Sequence, residues 1–349
     1  MANLNTYPNF PNDCKSLLSK YLTKKVYEKL KNKKTSSGFT LAQAIASGVE
    51  NHDSGIGVYA GDIESYDTFA ALFDPIIKEY HGFLKSDSHV SNLNPEDLDA
   101  PNPDSENKYI ISTRIRVGRN IANLPLGPAI TKEQRDEVEK QASNALNSLE
   151  DKLKGTYYPL DGMSEEVSQK LIEDHFLFKA GDRFLEAAGL NRHWPKGRGI
   201  FHNNDKTFLV WVNEEDQLRI ISMQQGGDIK EVFQRLSDAI SKIEEKIEFS
   251  YNDHLGYITS CPTNLGTAMR ASVHIKVPNL AQDYTRFEEI TNKHHLQIRG
   301  INGEHSESIG GVYDISNKRR LGVTEVQCVQ DMYDGVVELI KVEKELTHA

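Results

Sequence analysis

The segment GIFHNNDKTFLVWVNEEDQLRIISMQQ, residues 199–225, decides the fold class. It divides into three apolar runs, Gly199–Asn203, Thr207–Asn213 and Leu218–Gln224, rich in Ile, Val, Phe and Trp, the residues that fill a pleated surface. The runs follow one another through gaps as short as DKT and EEDQ. A parallel pair needs a much longer crossover, so these gaps mean antiparallel hairpins. Outward from this block, Tyr109–Val117, Ala271–Val277, Leu296–Arg299 and Gly311–Ile315 read as further strands. Lys132–Leu153, Lys230–Ile247 and Val326–Leu346 carry long helical patterns. The expected class is α+β, with helices packed on a mostly antiparallel sheet.

Upstream the period changes. Leu17, Leu18, Tyr21, Leu22, Val26, Tyr27 and Leu30 recur at helical spacing within Lys15–Lys31, a second helix is expected over Leu41–Val49, and a third runs through Tyr66, Phe69, Leu72, Phe73, Ile76 and Ile77. Residues 84–108, LKSDSHVSNLNPEDLDAPNPDSENK, are polar and hold Pro95, Pro101 and Pro103, as a linker does. The expected organisation is a small all-α domain over 1–83, a linker over 84–108 and a larger domain over 109–349. A length of 349 residues fits two domains.

Composition closes off several functions. With 41 basic and 51 acidic residues the net charge is -10, which argues against nucleic-acid binding by bulk charge. No apolar run approaches the roughly 20 residues that cross a bilayer, so no membrane role is expected. Cys14, Cys261 and Cys328 are odd in number and widely spaced, giving neither a disulfide framework nor a paired metal motif. MANLNTYPNFPNDCKS lacks the features of a secretory leader. A reduced, cytoplasmic setting is expected.

Alternation along STRIRV puts Ser112, Arg114 and Arg116 on one strand face, with Ile111, Ile115 and Val117 on the other. The polar side is either a solvated strand face or a two-arginine clamp for an anion. Arg219 inside LRIISM, Arg270 at the head of RASVHIKV (where it shares a face with Ser272 and His274) and Arg299 at the end of LQIR extend the pattern. Guanidinium forks suit phosphate oxygens, and this many in an acidic chain fit a polyphosphate such as a nucleotide. No Walker GxxxxGK[ST] is present, no GxGxxG follows a strand, and HRD and DFG elements are missing. In Cys261-Pro262-Thr263-Asn264-Leu265-Gly266-Thr267, proline, asparagine and glycine make a tight turn. Its cysteine is either structural or activated by nearby hydroxyls and cations.

CPTNLGT resembles the signature of the phosphagen (ATP:guanidino) kinases, and so do STRIRVGRN, HFLFKAGDRFL, the block from WPKGRG to MQQGGD, RASVHIKVP, RGINGEHSESIGGVYDISNKRRLG, NHDSGIGVYAGDIESY and LFDPII. The resemblance covers nearly the whole chain. It implies a small helical domain, a larger domain with a curved antiparallel sheet, and transfer of the ATP γ-phosphoryl group to a guanidino acceptor. It implies nucleotide contacts from Ser112, Thr113, Arg114, Ile115, Arg116, His175, Arg219, Arg270, Ala271, Ser272, Val273, His274, Arg299, Gly300, Ile301, Asn302, Gly303 and Glu304, with Trp211 beside them. Mg²⁺ is expected to ride on the nucleotide, with no protein metal site. Glu215, Cys261 and Glu304 resemble the residues around the acceptor, and with Arg219 they are the expected catalytic set. The loop Ser54, Gly55, Ile56, Gly57, Val58 and Tyr59 resembles the family's substrate-specificity loop. Asp53 and Arg183 resemble a pair tying the domains together.

Beside the resemblance stands a physical need. A free arginine guanidinium has a pKa of roughly 12.5–13.8 and is not nucleophilic at neutral pH. Two carboxylates, Glu215 and Glu304, suit holding it and taking its proton, and a thiolate at Cys261 would add negative charge. Glycines 300, 303, 310 and 311 bracket the Glu304 loop, which closure would bring in to exclude water. The compact specificity loop and Tyr80 in KEYHGF resemble the branch of the family that uses L-arginine. HGF is one glycine shorter than the HGGF of many relatives. Taurocyamine or lombricine are the alternative acceptors, and a nucleotide-binding module without transfer activity is the alternative class. The single-unit length resembles the monomeric members.

Overall fold

The computed structural model describes residues 6–174, 176–178, 180–300 and 310–347. Its helices are α1 (Leu17–Tyr21), α2 (Lys24–Leu30), α3 (Leu41–Glu50), α4 (Ser65–Thr68), α5 (Ala70–His81), α6 (Lys132–Asn147), α7 (Glu165–Glu173), α8 (Arg183–Ala187), α9 (Ile229–Glu244), α10 (Tyr284–Lys293) and α11 (Glu325–Thr347). The expected helix over Lys15–Lys31 is broken in two. Leu22 leaves helical geometry at ψ 68°, and the Thr23 hydroxyl accepts from Val26 N to start α2. Phe69, at φ -107° and ψ 25°, likewise separates α4 from α5.

The strands are β1 (Ile110–Arg119), β2 (Gly155–Pro159), β3 (Gly199–Asn203), β4 (Phe208–Val212), β5 (Leu218–Gln225), β6 (Tyr251–Asn252), β7 (Gly256–Tyr257), β8 (Met269–Lys276), β9 (Leu296–Arg299) and β10 (Val312–Asn317). Eight of them form one sheet in the order β2-β3-β4-β5-β1-β8-β10-β9, while β6 and β7 pair by themselves. Neighbours in the large sheet are antiparallel throughout, as the hairpin gaps required. β2 escaped the sequence reading because the helical pattern was carried on to Leu153. α6 stops at Asn147 instead, and Asp151 at φ 51° turns the chain toward β2.

One sheet face is the core. Ile115 and Val117 of β1 pack with Phe233, Leu236 and Ile240 of α9 and with Val329, Met332 and Val336 of α11. A second core joins Leu18, Phe39, Ile45, Phe69, Phe73 and Ile76 of the helical N-terminal region to Leu126, Leu255, Ile258, Leu265 and Leu321. Residues 84–108 are fastened down rather than loose. Ser91 Oγ and Asn92 N donate to the buried Glu325 carboxylate at 3.0 and 2.8 Å, and Asp104 accepts from the N–H groups of Lys108, Tyr109 and Ile110, which launches β1.

Candidate active site

The register gathers the strand arginines. Arg116 lies opposite Arg270 of β8 and Ile221 of β5, Arg114 lies opposite Ser272 and Met223, and Gly118 lies opposite Arg219. Directly opposed residues share a face, so Arg114, Arg116, Arg219 and Arg270 form one patch on the side away from α9 and α11. Trp211 pairs with Arg219, and His274, Asp314 and Arg299 continue the row. The Trp211 ring centroid is 5.7 Å from the Arg114 guanidinium and 5.8 Å from that of Arg219.

These charges are crowded without enough anions. Burial, then the Arg270 and Arg219 charges, lower Arg114 to about 10, and burial lowers Arg116 as well. Nε of Arg114 and Nε of Arg270 are buried with no hydrogen-bond partner. Asp314 braces the far end. It accepts from Arg270 Nη2 at 2.7 Å and lies 3.5 Å from His274 Nε2. Burial alone would raise its pKa, but His274 and Arg270 leave it lowered. A cleft of about 540 Å³, bordered by Ser112, Arg114, Trp211, His274 and Asp314, opens over this face. A larger groove, about 930 Å³, lies between residues 148–153 and α9 and contains none of the expected site residues. Unsatisfied guanidinium donors in a cleft are built for an anion.

Beyond Arg219 the sign reverses. The β4–β5 turn carries Glu214 and Glu215; Arg219 Nη1 is 3.1 Å from Glu214 Oε2, and Nη2 donates to Glu215 Oε2 at 2.8 Å. Asn213, at φ 59°, anchors the turn by donating through Nδ2 to Gly197 O at 2.7 Å. Asp216 accepts from Asn120 Nδ2 at 2.9 Å and from Ser260 N at 3.3 Å, which pins this turn to the one holding Cys261. Burial raises Glu215 to about 7 despite Arg219. Cys261 Sγ lies 3.1 Å from Thr263 Oγ1, but burial and Glu215 push the thiol up to about 12. Burial and Glu215 thus favour the protonated thiol while no cation lies beside it. A guanidinium seated between Cys261 and Glu215 would draw both groups toward their charged forms.

The loop over residues 54–59 approaches the same end. Its carbonyls at Gly55, Ile56 and Gly57 accept from Leu17 N, Leu18 N and Gly48 N at 2.9, 2.9 and 3.1 Å. Among the described residues, the N–H groups of Gly55, Ile56, Gly57 and Val58 donate to no backbone carbonyl. A Cβ on Gly48 would stand 2.4 Å from Gly57 Cα, so both glycines are needed for the contact. Ala60 N donates to Ser260 O at 2.7 Å, Tyr66 OH to Thr259 O at 2.7 Å, and His81 Nε2 meets Pro262 O at 2.8 Å. Arg183 donates to Asp53 Oδ1 at 2.8 Å and to Asn51 Oδ1 at 3.0 Å, joining α8 to the end of α3.

Residues 12–78 match the N-terminal domain of the ATP:guanido phosphotransferases, and residues 137–346 match their C-terminal catalytic domain. The chain belongs to the ATP:guanido phosphotransferase family. It is similar to the arginine kinase Met e 2 of Metapenaeus ensis, with 60% identity over 335 residues, 96% of this chain and 94% of that protein. Arginine kinase of Artemia franciscana is 58% identical over 337 residues, covering 95% and 94%. Among solved structures, a lombricine kinase superposes with TM-score 0.93 at 41% identity over 98% of this chain and 95% of its own. The duplicated taurocyamine kinase of Schistosoma mansoni, substrate-free, gives 0.90 at 46% identity over 95% of this chain and 47% of its own.

Not every residue expected from the ATP:guanido phosphotransferase resemblance reaches the cleft. The side chains of Ile115, Ala271 and Val273 turn into the core instead of the cleft. Thr113 borders the cleft, but its side chain is buried, the hydroxyl donating to Gly226 O at 2.8 Å. His175, Ile301, Asn302, Gly303 and Glu304 lie outside the described residues. Sequence reasoning missed Asp314, Asp216, Asn264 and Arg320. Arg320 reads as part of a surface basic run, KRR, yet it borders a niche with Arg116, Arg219 and Arg270. Thr267 N donates to its carbonyl at 3.0 Å, a contact no local pattern announces.

Proposed function

We propose that this phosphotransferase moves the γ-phosphoryl group of ATP reversibly to the guanidino group of L-arginine, giving phosphoarginine and ADP, and so buffers ATP. Two binding chemistries meet at Arg219, and that junction carries the reading. On one side guanidinium groups await an anion; on the other, Glu215, with Oε2 on Arg219 and Oε1 on a long 3.4 Å contact to Asn264, stands with Cys261 to receive a cation. A site that joins a polyphosphate to a guanidinium has this polarity.

In this reading Arg114, Arg116, Arg219, Arg270 and Arg299 hold the nucleotide phosphates. Ser112, Ser272 and His274 line the same cleft, with His175 and residues 300–304 assigned by resemblance. Mg²⁺ would enter on the phosphates and neutralise charge as it builds there; Glu214 and Glu215 are already engaged by Arg219. Phosphoryl transfer asks mainly for positioning and electrostatics. Glu215 holds one edge of the acceptor guanidinium, accepts its proton as the N–P bond forms, and aims the nucleophilic nitrogen. Glu304 is assigned the other edge. The N–H groups at 55–58, which donate to no backbone carbonyl among the described residues, suit the acceptor's α-carboxylate.

L-Arginine is favoured by the 58–60% identity to arginine kinases against 41% and 46% to the lombricine and taurocyamine enzymes. Tyr80, on α5, points the same way by resemblance. We assign residues 1–83 to specificity, 84–108 to a linker and 109–349 to catalysis, in a cytoplasmic monomer. Three free cysteines suit a reducing compartment, and no helix among the described residues is long and apolar enough to cross a membrane. The test is ADP release from MgATP with L-arginine, lombricine, taurocyamine, creatine or no acceptor. Turnover confined to L-arginine is expected. Equal turnover with taurocyamine would move the assignment to that acceptor, and none with any acceptor would leave a nucleotide-binding module.

A further inference from the structure

Asn264 stands between a cation and an anion. Its Nδ2 donates to Glu215 Oε1 at 3.4 Å, and its Oδ1 accepts from Arg320 Nη1. The amide cannot turn over without setting its NH₂ against the guanidinium and its oxygen against the carboxylate. Arg320 is tied to the same turn by its Nη1 near Thr263 O at 3.5 Å and by its carbonyl, which accepts from Thr267 N. Glu215 thus has one oxygen on Arg219 at 2.8 Å and the other on a long, weak bond to Asn264.

We propose that Asn264 and Arg320 form a positioning pair that presents Glu215 Oε1 to the acceptor guanidinium. Oε2 stays with Arg219, so Oε1 is the oxygen a substrate N–H takes over, and Asn264 fixes where that oxygen points. Neither residue needs to touch the reacting atoms for this. The inference rests on the assignment of Glu215 to the acceptor. Glu215 also faces Glu214 and Asp216 on its own turn, Cys261 on the facing turn, and Tyr59 and Arg320 from outside both.

The test measures kcat, both KM values and the pH dependence of kcat/KM for Asn264→Ala, Asn264→Asp and Arg320→Gln. Losing a donor to an ionised partner should cut kcat by about tenfold to a hundredfold in Asn264→Ala, with the KM for nucleotide within about twofold. The acid limb should move to higher pH, because the charged form of Glu215 has lost a hydrogen bond. Asn264→Asp keeps a partner for Arg320 but sets a second carboxylate against Glu215, so its acid limb should move further. Arg320→Gln, which frees the amide to turn over, should shift the limb the same way by less. A purely structural role would lower thermal stability in all three and leave their pH profiles superimposed on that of the unaltered enzyme; that result overturns the proposal. Should the Asn264 variants fail to fold, Arg320→Gln decides on the same readout. Glu215→Gln separates the two readings. If it keeps full turnover, the assignment of Glu215 falls, whereas a crippled Glu215→Gln beside unshifted Asn264 and Arg320 variants sinks only the positioning pair.

Discussion

The two halves of the cleft are built differently. The arginine face stands mainly on three adjacent strands, β5, β1 and β8, where register fixes the position of each guanidinium. The acidic end stands on turns: the β4–β5 turn for Glu215, the 262–264 turn beside Cys261, and the loop at 54–59. A sheet suits a demand that never varies, since phosphate charge is the same for any nucleotide triphosphate. Turns suit the partner that distinguishes one guanidino compound from another, because their length and side chains change without disturbing a ladder.

If the strand half supplies fixed charge, Arg219→Ala should be the most damaging change, since Arg219 also orders both acids. A loss of about a thousandfold in kcat is expected, read by coupled ADP assay. Near-normal turnover would mean that the sheet face only packs. Next comes Glu215→Gln, expected to cost about a hundredfold with nucleotide affinity kept. Glu215 works ionised, and burial holds its pKa up, to about 7. Activity of the unaltered enzyme should therefore fall as pH drops through that region, and Glu215→Gln should lack that limb.

The turn half is tested by agmatine, which is arginine without its carboxylate. If the N–H groups of 55–58 bind that carboxylate, agmatine should be poorer than L-arginine by about tenfold to a hundredfold in kcat/KM, with the nucleotide KM unchanged. Equal use of both would remove the loop from recognition. Gly48→Ala presses on Gly57 and should destabilise by about 1–3 kcal/mol in urea melts while raising the acceptor KM. The smallest effect is expected of Asp53→Asn. Its pair with Arg183 is largely exposed, so melting curves of variant and parent should merge near 1 M salt, where screening reaches about 3 Å.

The contrast between the halves also explains what could be read before the structure. Period-two alternation made Arg114, Arg116 and Arg270 legible as one-sided, and the short gaps around Phe208–Val212 made the antiparallel sheet legible. Those signals are local. Asp314 became visible only when register set it opposite His274, and Arg320 only when the chain brought its carbonyl to Thr267. The breaks at Leu22 and Phe69 were hidden because apolar spacing continues across both. A motif assigned by resemblance cannot say which of its side chains face the ligand; Ile115, Ala271 and Val273 turn theirs into the core, since a strand has only every second side chain on one side.

Five residues distant in sequence from the N-terminal helices, Leu126, Leu255, Ile258, Leu265 and Leu321, complete the core those helices enclose. Leu265 belongs to the same turn as Cys261 and Asn264, and Leu321 follows Arg320. Transplanting residues 1–83 from a relative with another acceptor would thus leave foreign helices seated on this chain's own leucines and isoleucine. A graft that carries the specificity loop alone would mismatch volumes directly behind the acidic turn. Acceptor preference is inherited together with the seam that supports it, and an exchange of substrates has to recut both sides of that seam at once.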